Sequence, residues 1–571
     1  MINYSLPLGR LILRLIALSI AVAVPEATEQ TVSTLTVWVA TGLDRIGLAD
    51  APGPNASAAL VSAKAEYEPF QVVVQAPPSG LTGVSVSISD LTTADGRVIA
   101  SNNATLYREH YVYVDRGSPN AKGSNQPLGP GWYPDALVPF LDPKTGSPPA
   151  GGAYPAAPVN IDGGKNQPFW IDIYVPRDAV AGDYSGTVTV TADQGSAAIP
   201  CKLTVWNFEL PAKPSLKSSF ALWSATTNEA REELIKHRIM PQRLGSCGAN
   251  PCTGLAALEQ TLIANFGLTS TDLGFWSGAD ASHCNMRPPP SPLALQAAAS
   301  AHAPDLNLFN YTADEIGACT NLYPMIRQWG NNLHQAGVRN LITMAPDPAL
   351  YDDGSGTGRS AVDIWVVLPK TYDSAPQRIA EALAKGDEVW SYNALAQDSY
   401  SPKWLLDYDP INYRIQAGFI SQSLGLTGLL YWRVDKWSSD PWAQVNNEGV
   451  FTSSNYPGEG MLVYPGQPAG VSGVVPSIRL KQLREGSEDY EYVEILKRLG
   501  QGDWALQVAK SVGPDWKNWG RDKNALEAAR RQLGDKIQQL QAQQGAAAPA
   551  RRGRASAGKR LAYGTIQFPL F

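Results

Sequence analysis

The pattern of hydrophobic and polar positions separates an N-terminal region from the rest of the chain. Between residues 31 and 211, apolar residues recur at every second position in short runs such as 36–39, 70–75, 84–88, 169–175 and 184–192. Gly, Pro, Asn and Asp separate these runs. A period of two is typical of antiparallel strands with one solvent-facing side. The pattern therefore predicts an antiparallel β-sandwich domain over residues 31–211, followed by a linker at Pro211-Ala-Lys-Pro214.

Residues 215–475 show a different pattern, in which short apolar strands alternate with helical stretches. Strands are expected at 219–223, 306–311, 340–344, 362–367, 388–392 and 428–432, and helices at 228–237, 322–336, 376–385 and 412–425. This alternation is typical of a (β/α)8 TIM-type barrel, in which the carboxyl ends of the strands build the active site. A doubly wound sheet has the same local pattern, but no Gly-rich phosphate-binding turn follows an early strand.

The last part of the chain is predicted to be helical over residues 476–545. The cluster of acids and tyrosines at 485–491 is expected to fix this region against the barrel. Residues 546–571 form a low-complexity basic segment that predicts a disordered tail, with binding to an anionic envelope as the alternative.

The N-terminus predicts an export signal over residues 1–24. Arg10 and Arg14 precede an apolar run at 15–24, and small residues allow cleavage near Ala23. A membrane anchor is the alternative. The apolar run is shorter than the roughly 20 residues that cross a bilayer, so the sequence favours cleavage and export to the periplasm or the extracellular space. No other stretch is expected to span a membrane.

Composition and charge exclude some partners and cofactors. The net charge of −6, with 17% charged residues, provides no basic surface suited to nucleic acid. Five cysteines in an exported chain permit disulfides. Cys247 could pair with Cys252 and Cys284 with Cys319, which would leave Cys201 buried and free. Zinc binding is disfavoured because neither the cysteines nor the histidines at 237, 283 and 302 have zinc-site spacing, so no metal or other cofactor is predicted.

Two adjacent carboxylates are the main candidates for chemistry. Asp314 and Glu315 follow the apolar run 306–313, where a strand is expected to end. An acid pair at the mouth of a barrel can divide the work of cleaving a glycosidic bond. Because adjacent side chains of a regular strand point to opposite faces, the pair can converge only if the backbone leaves the strand there. The alternative is a solvated turn or the first turn of a helix.

Several segments resemble glycoside hydrolase family 123 and the related group named for domain of unknown function 4091. They are the acid pair and the segments 65–74, 175–187, 430–437 and 476–492. Together they cover about residues 60 to 500 and occur in the order expected for the family. The resemblance implies an N-terminal β-sandwich, a catalytic barrel and retaining hydrolysis of β-linked N-acetylgalactosamine. Ile316-Gly317 follows the pair where the family pattern has Pro. The exact sugar is therefore not fixed, and a related 2-acetamido sugar is the alternative substrate.

The resemblance also implies a role for each carboxylate. Glu315 would protonate the leaving oxygen while the 2-acetamido carbonyl of the substrate attacks the anomeric carbon. Asp314 would hold the acetamido N–H and stabilise the positive charge that develops. Tyr392, at the end of a late strand, is expected to hydrogen-bond the acetamido carbonyl.

Aromatic residues are candidates for stacking on the sugar, since 16 Trp and 23 Tyr exceed what packing requires. The candidates are Trp223, Trp390, Trp432 and Trp437, and Asp435 is expected to bind hydroxyl groups. Ordinary packing is the alternative for each of them.

The sequence thus predicts an exported glycoside hydrolase that acts on a glycan or glycoconjugate. A hydrolase of another sugar and an inactive carbohydrate-binding scaffold remain the alternatives. Oligomeric state is not predicted.

Overall fold

The structure, a computed structural model, describes residues 35–120, 122–245 and 254–547 of the 571-residue chain. The predicted signal peptide, the pair Cys247 and Cys252, and the tail from residue 548 lie outside these residues. Every helix in the described residues is too short or too polar to cross a lipid bilayer.

The N-terminal region consists of two β-sheets that face each other. One has the strand order β1-β3-β10-β7-β8 and the other β2-β12-β11-β4-β9, with β5 beside β11 and β6 beside β5. The strands are β1 Thr36–Thr41, β2 Ala58–Lys64, β3 Tyr67–Gln75, β4 Leu81–Ile88, β5 Leu91–Thr92, β6 Val98–Ile99, β7 Ala104–Val114, β8 Gly131–Pro139, β9 Val159–Ile161, β10 Asn166–Tyr174, β11 Gly182–Ala192 and β12 Gly195–Glu209.

The alternating pattern places apolar side chains of both sheets in one shared core. Val72 and Ile171 from the first sheet meet Val188 and Leu203 from the second, and all four are fully buried. Each such side chain contributes about 1.5–3 kcal/mol relative to an exposed one. The predicted antiparallel N-terminal sheets are therefore confirmed, with one exception: β2 and β12 pair in parallel.

A parallel, nearly closed sheet forms the second region. In the described residues it has seven strands in the order β13-β19-β18-β17-β16-β15-β14. The strands are β13 Lys217–Phe220, β14 Ser270–Asp272, β15 Asn307–Asp314, β16 Arg339–Thr343, β17 Ile364–Val367, β18 Glu388–Tyr392 and β19 Gly428–Tyr431. The helices between them are α1 Asn228–Lys236, α2 Leu255–Phe266, α3 Pro292–Ala299, α4 Tyr323–Gln335, α5 Pro369–Ser374, α6 Pro376–Lys385, α7 Ile411–Ile415 and α8 Ser421–Ser423, the last two joined by a π-helical turn at Gln416–Ile420.

The eighth strand predicted for this sheet is not a regular strand among the described residues. Residues 240–242 lie between β13 and β14 instead. Phe220 donates its N–H to the Met240 carbonyl (3.0 Å), and Gln242 accepts from the N–H of Asp272 (2.8 Å). Pro241 bridges to Phe220 but has no N–H of its own. The segment therefore makes hydrogen bonds to both neighbours without forming a regular ladder.

Three C-terminal helices, α9 Ile478–Arg498, α10 Gly502–Val512 and α11 Lys523–Ala547, follow the hairpin of β20 Val463–Pro465 and β21 Val474–Pro476. Helix α9 is buried along most of its length although many of its residues are charged. Tyr490 donates to the Leu426 carbonyl (3.1 Å), and Asp489 pairs with Arg414 (2.7 Å). These contacts confirm that the polar cluster fixes the helix against the barrel.

Candidate active site

The acid pair lies at the carboxyl end of β15, and the backbone leaves the strand there. Asp314 is the last residue of β15, the register against β16 shifts between Tyr311 and Ala313, and Glu315 has a φ of 51°. A positive φ is uncommon for a residue with a Cβ and is often found at functional sites. The two carboxylates can converge only if the backbone leaves the strand, and the backbone does so at this point.

Thr343, the last residue of the neighbouring strand β16, holds both members of the pair. Its hydroxyl donates to Oδ1 of Asp314 (2.5 Å) and accepts from the backbone N–H of Glu315 (2.8 Å). The Tyr311 hydroxyl donates to the same Asp314 oxygen (2.8 Å). Burial, and then the Asp314 carboxylate, raise the pKa of Tyr311 well above its usual value, so this phenol remains a donor.

Tyr392 connects β18 to the pair. Its hydroxyl donates to Oε1 of Glu315 (2.5 Å). Burial raises the pKa of Tyr392 far above its usual value, and the nearby carboxylates of Glu315 and Asp314 raise it further. The structure thus brings Asp314, Glu315 and Tyr392 together, with the phenol hydrogen-bonded to Glu315.

A cleft of about 350 Å³ opens beside Glu315 at the ends of β16, β17 and β18. Its polar lining includes Thr343, Asp347, Lys370 and Gln397. The side chains of Asp314 and Glu315 are themselves exposed. Glu315 therefore lines a cleft of the size that holds small ligands, and the exposed Asp314 is its neighbour in the chain.

Two exposed tryptophans lie on loops that follow barrel strands. Trp223, after β13, is 60% exposed, and its ring contacts the edge of Trp432, with centroids 5.9 Å apart. Trp276, after β14, is 41% exposed and meets Tyr311 edge-on at 5.9 Å. Sequence reasoning missed Trp276 because β14 is only three residues long. Trp223 and Trp432 stay candidates for stacking on a sugar.

The structure contradicts the prediction for Trp390, whereas the prediction for Trp437, which is partly buried, stays a prediction. Trp390 is 1% exposed, packs inside the barrel and donates its indole N–H to Glu388 (2.9 Å) at the amino end of β18. Trp437 donates to the Val463 carbonyl (2.8 Å) and packs against two apolar clusters. Trp390 is therefore engaged in packing, which is the alternative that the sequence left open.

The prediction for Asp435 is also wrong, since its carboxylate is fully buried and already satisfied. It accepts backbone N–H groups from Trp223 (2.9 Å), Ser224 (2.6 Å) and Ala225 (2.7 Å), and the guanidinium of Arg433 (2.8 Å). Four donors leave no room for sugar hydroxyls. Asp435 instead fixes the loop that carries Trp223.

Glu459 is a further acid at the carboxyl ends of the strands that sequence reasoning missed. It accepts the indole N–H of Trp432 (2.6 Å) and the backbone N–H of Leu395 (2.8 Å), three residues after Tyr392. Burial raises the pKa of Glu459 to about 7, and the hydrogen bond from Trp432 opposes this only in part. No local motif marks this residue, because the chain returns to the site only after the long loop that follows β19.

A disulfide joins the two loops that flank the site. Cys284 bonds to Cys319, as predicted, and Cys201 is buried and free, also as predicted. Cys319 is four residues after Glu315, and Cys284 is in the loop that carries Trp276. The bond therefore fixes one loop relative to the other.

Two family models match the chain. "Glycoside hydrolase 123 N-terminal domain" matches residues 61–192, and "Glycoside hydrolase 123, catalytic domain" matches residues 339–496. Together they cover about half of the chain. No curated protein matches.

Among solved structures, the chain is similar to a family 123 glycoside hydrolase from Clostridium perfringens, reported for glycolipid glycan hydrolysis. The TM-score is 0.61 at 15% identity, over 91% of this chain and 99% of that one. A Parabacteroides merdae β-glucuronidase matches 70% of this chain and 49% of its own at 10% identity. The fimbrial subunit MyfA of Yersinia enterocolitica matches 30% and 97% at 13% identity. Their TM-scores of 0.26 and 0.13 are too low to support an inference.

Proposed function

The chain belongs to glycoside hydrolase family 123 and is a glycoside hydrolase, and from this premise we propose that it cleaves β-linked N-acetylgalactosamine or a related 2-acetamido sugar. The observation that carries the proposal is the meeting of Asp314, Glu315 and Tyr392 at one end of the barrel-like sheet. In such sheets, the carboxyl ends of the strands form active sites.

We assign the proton transfer to Glu315, which lines the cleft beside the pair. As general acid it donates its proton to the glycosidic oxygen as the bond to the anomeric carbon breaks. The 2-acetamido oxygen of the substrate forms the new bond to that carbon. Water then attacks the cyclic intermediate, and Glu315 takes the proton from the water, so the configuration of the sugar is retained.

Asp314 has the complementary role of stabilising charge. One of its oxygens is held by Thr343 and Tyr311. The carboxylate is thereby oriented before the substrate arrives, and it can accept the acetamido N–H and stabilise the positive intermediate without reorganising. For Tyr392 to bind the acetamido carbonyl, its hydroxyl must break its hydrogen bond to Glu315 and donate to the substrate instead.

Three further points are proposed with this function. The glycans of glycolipids, which are the subject of the work on the Clostridium perfringens protein, are a suitable substrate class. Residues 240–242 would take the place of an eighth barrel strand. Export after cleavage of the N-terminal signal would bring the enzyme to glycans outside the cell.

The test is release of an aryl group from a β-N-acetylgalactosaminide. Glu315→Gln should reduce kcat at least about 100-fold because the proton donor is lost. Glu381→Gln is the matched control, since that carboxylate accepts from Gln377 on the same helix, α6. The corresponding β-galactoside, which lacks the acetamido group, should be a poor substrate.

Three results would decide against the proposal. Full activity of Glu315→Gln would show that Glu315 is not the general acid. Faster cleavage of the β-galactoside would indicate a hydrolase of another sugar. Binding of the sugar without turnover, unchanged by Glu315→Gln, would indicate a carbohydrate-binding scaffold.

A further inference from the structure

A cavity of about 590 Å³ lies between the N-terminal sheets and the outside of the barrel. It is bordered by β4, β7, β10, α1, β21 and α9. None of the residues that line it also lines the cleft beside Glu315. The cavity is therefore separate from the candidate active site, and its volume is in the range of small-molecule sites.

The lining of this cavity has an apolar and a polar side. Leu106, Phe140 and Leu141 belong to the apolar side. Glu233 and His237 belong to the polar side and come from the end of α1 and the residue after it. A ligand that fits both sides has an apolar face and several hydrogen-bonding groups.

His237 provides an acceptor that has no donor. The ring is 3% exposed, and Nδ1 lies 2.7 Å from the Glu233 carbonyl, which can only accept, so Nδ1 carries the hydrogen. Burial, and then the charges of Lys481 and Arg484, lower the pKa of His237 well below its usual value. The ring is thus neutral and Nε2 is an acceptor. Within the described part of the chain, Nε2 has no hydrogen-bond partner.

Glu233 provides a second acceptor at the same place. Its carboxylate has no hydrogen-bond donor among the described residues, and Oε1 lies 3.7 Å from Nδ1 of His237, beyond hydrogen-bonding distance. Leaving the buried Nε2 of His237 without a partner is costly. Hydroxyl groups of a ligand would satisfy both Glu233 and His237.

The charges in the cavity argue against an ionic ligand. Asp172 pairs with Lys481 (2.9 Å) and Arg484 (2.6 Å), and Arg484 also pairs with Glu485 (2.7 Å). Glu233 is offset by Lys236 in the lining. The lining as a whole has three carboxylates and three cations, so neither an anion nor a cation gains a net attraction. These charged residues are Asp142, Asp172, Glu233, Lys236, Lys481 and Arg484.

We propose that this cavity is a second binding site for a small neutral polyol, such as a mono- or disaccharide. The hydroxyl groups donate to Nε2 of His237 and to the carboxylate of Glu233. The C–H face of the sugar lies against Leu106 and Phe140. The site binds sugar independently of hydrolysis at Asp314 and Glu315.

The test uses the full chain with galactose, N-acetylgalactosamine and lactose as probes. Hydrogen–deuterium exchange at saturating sugar should show protection in peptides of β7 and α1, apart from any protection at β15. Ala104→Phe, which adds a ring to a residue of the lining, should abolish this protection. His237→Phe keeps a ring and removes the acceptor, so it should weaken binding at least about tenfold.

Two controls make the test specific. His283→Phe changes an exposed histidine outside the cavity, whose side chain is 74% exposed, and should leave sugar binding unchanged. Ala104→Phe and His237→Phe should both cleave the aryl glycoside at the wild-type rate if the two sites are separate. Should His237→Phe fail to fold, Ala104→Phe alone decides.

Two outcomes overturn the proposal. One is wild-type protein that shows no protection in β7 and α1 with any of the three sugars at 100 mM, roughly the weakest binding that could matter. The other is protection that persists unchanged in Ala104→Phe. Either result leaves the assignment of Glu315 untouched, because that assignment is tested by turnover.

Discussion

Thr343 shows how a single hydroxyl can position both carboxylates of the acid pair. It donates to Asp314 and accepts from the backbone N–H of Glu315, and it is 2% exposed. The backbone N–H of Glu315, whose φ is strained, donates to this hydroxyl and also to the Thr343 carbonyl (3.0 Å) on the neighbouring strand. Thr343 itself needs no contact with substrate, so its role is positioning.

Replacing this hydroxyl is expected to reduce activity more than stability. Thr343→Val removes both hydrogen bonds while keeping the β-branched shape, and should lower kcat about tenfold or more with a loss of about 1–2 kcal/mol in the free energy of unfolding. Thr343→Ser keeps the hydroxyl and should restore most of kcat. Steady-state kinetics and urea unfolding of both variants check this. Equal activity of the Val and Ser variants would show that the hydroxyl does not position the pair.

Glu459 predicts a pH dependence of stability. The pKa of this buried carboxyl is raised to about 7 from 4.5, so between these values the unfolded chain binds fewer protons than the folded one. The contribution of Glu459 to the free energy of unfolding is fully present below pH 4.5. It falls by about 3 kcal/mol as the pH rises to about 7. Glu459→Gln should flatten this part of the curve, measured by urea unfolding at pH 5, 6 and 7. Parallel curves for the two proteins would contradict the assignment.

At the scale of elements, the disulfide holds the loop of Trp276 against the loop after Glu315. It spans a sequence separation of 35 residues, and Cys319 is 1% exposed. Closing a loop of this length stabilises a protein by roughly 3–4 kcal/mol, chiefly through the unfolded state. The bond also restricts how far the acid pair can move from Trp276.

The double variant Cys284→Ser/Cys319→Ser should therefore lose about 3 kcal/mol of unfolding free energy and raise KM for the aryl glycoside. Urea unfolding and kinetics measure the two effects. Cys201→Ser is a matched control because that thiol is free. If the double variant kept its KM, the disulfide would serve stability alone.

Elements with a strong hydrophobic period were predictable from the sequence, and short elements were not. Strand β18 is found at 388–392 as predicted, whereas β14, of three residues, and α2 and α3 were missed. Pro241 explains why an eighth regular strand is absent from the described residues.

In the site, position at a strand end identified Asp314, Glu315 and Tyr392. The same criterion could not give the depth of a side chain in the barrel. Trp390 lies two residues before Tyr392 and points to the same face, but it packs deeper in the barrel interior. Glu459 was missed because only tertiary folding brings it to Trp432.

At the scale of the whole molecule, buried ion pairs join the N-terminal sheets to helices α9 and α11. Arg479 pairs with Asp135 of β8 (2.9 Å), and Arg530 of α11 pairs with Glu66 (2.8 Å). Asp172 of β10 lies between Lys481 and Arg484 of α9. Removing one member of a buried pair leaves the other charge unpaired, which costs more than the pair contributes. The sheets and the barrel therefore depend on each other for stability.

This dependence predicts the outcome of changing one carboxylate. Asp172→Asn leaves the charges of Lys481 and Arg484 without their shared partner, and we expect a loss of about 3–5 kcal/mol of unfolding free energy. Because helix α9 is shared, near-UV circular dichroism and tryptophan fluorescence should report one transition rather than two, shifted to lower urea concentration. Asp162→Asn, at an exposed position, is the matched control. A variant whose N-terminal sheets unfold first, while the barrel keeps its wild-type midpoint, would show that α9 does not couple the two regions.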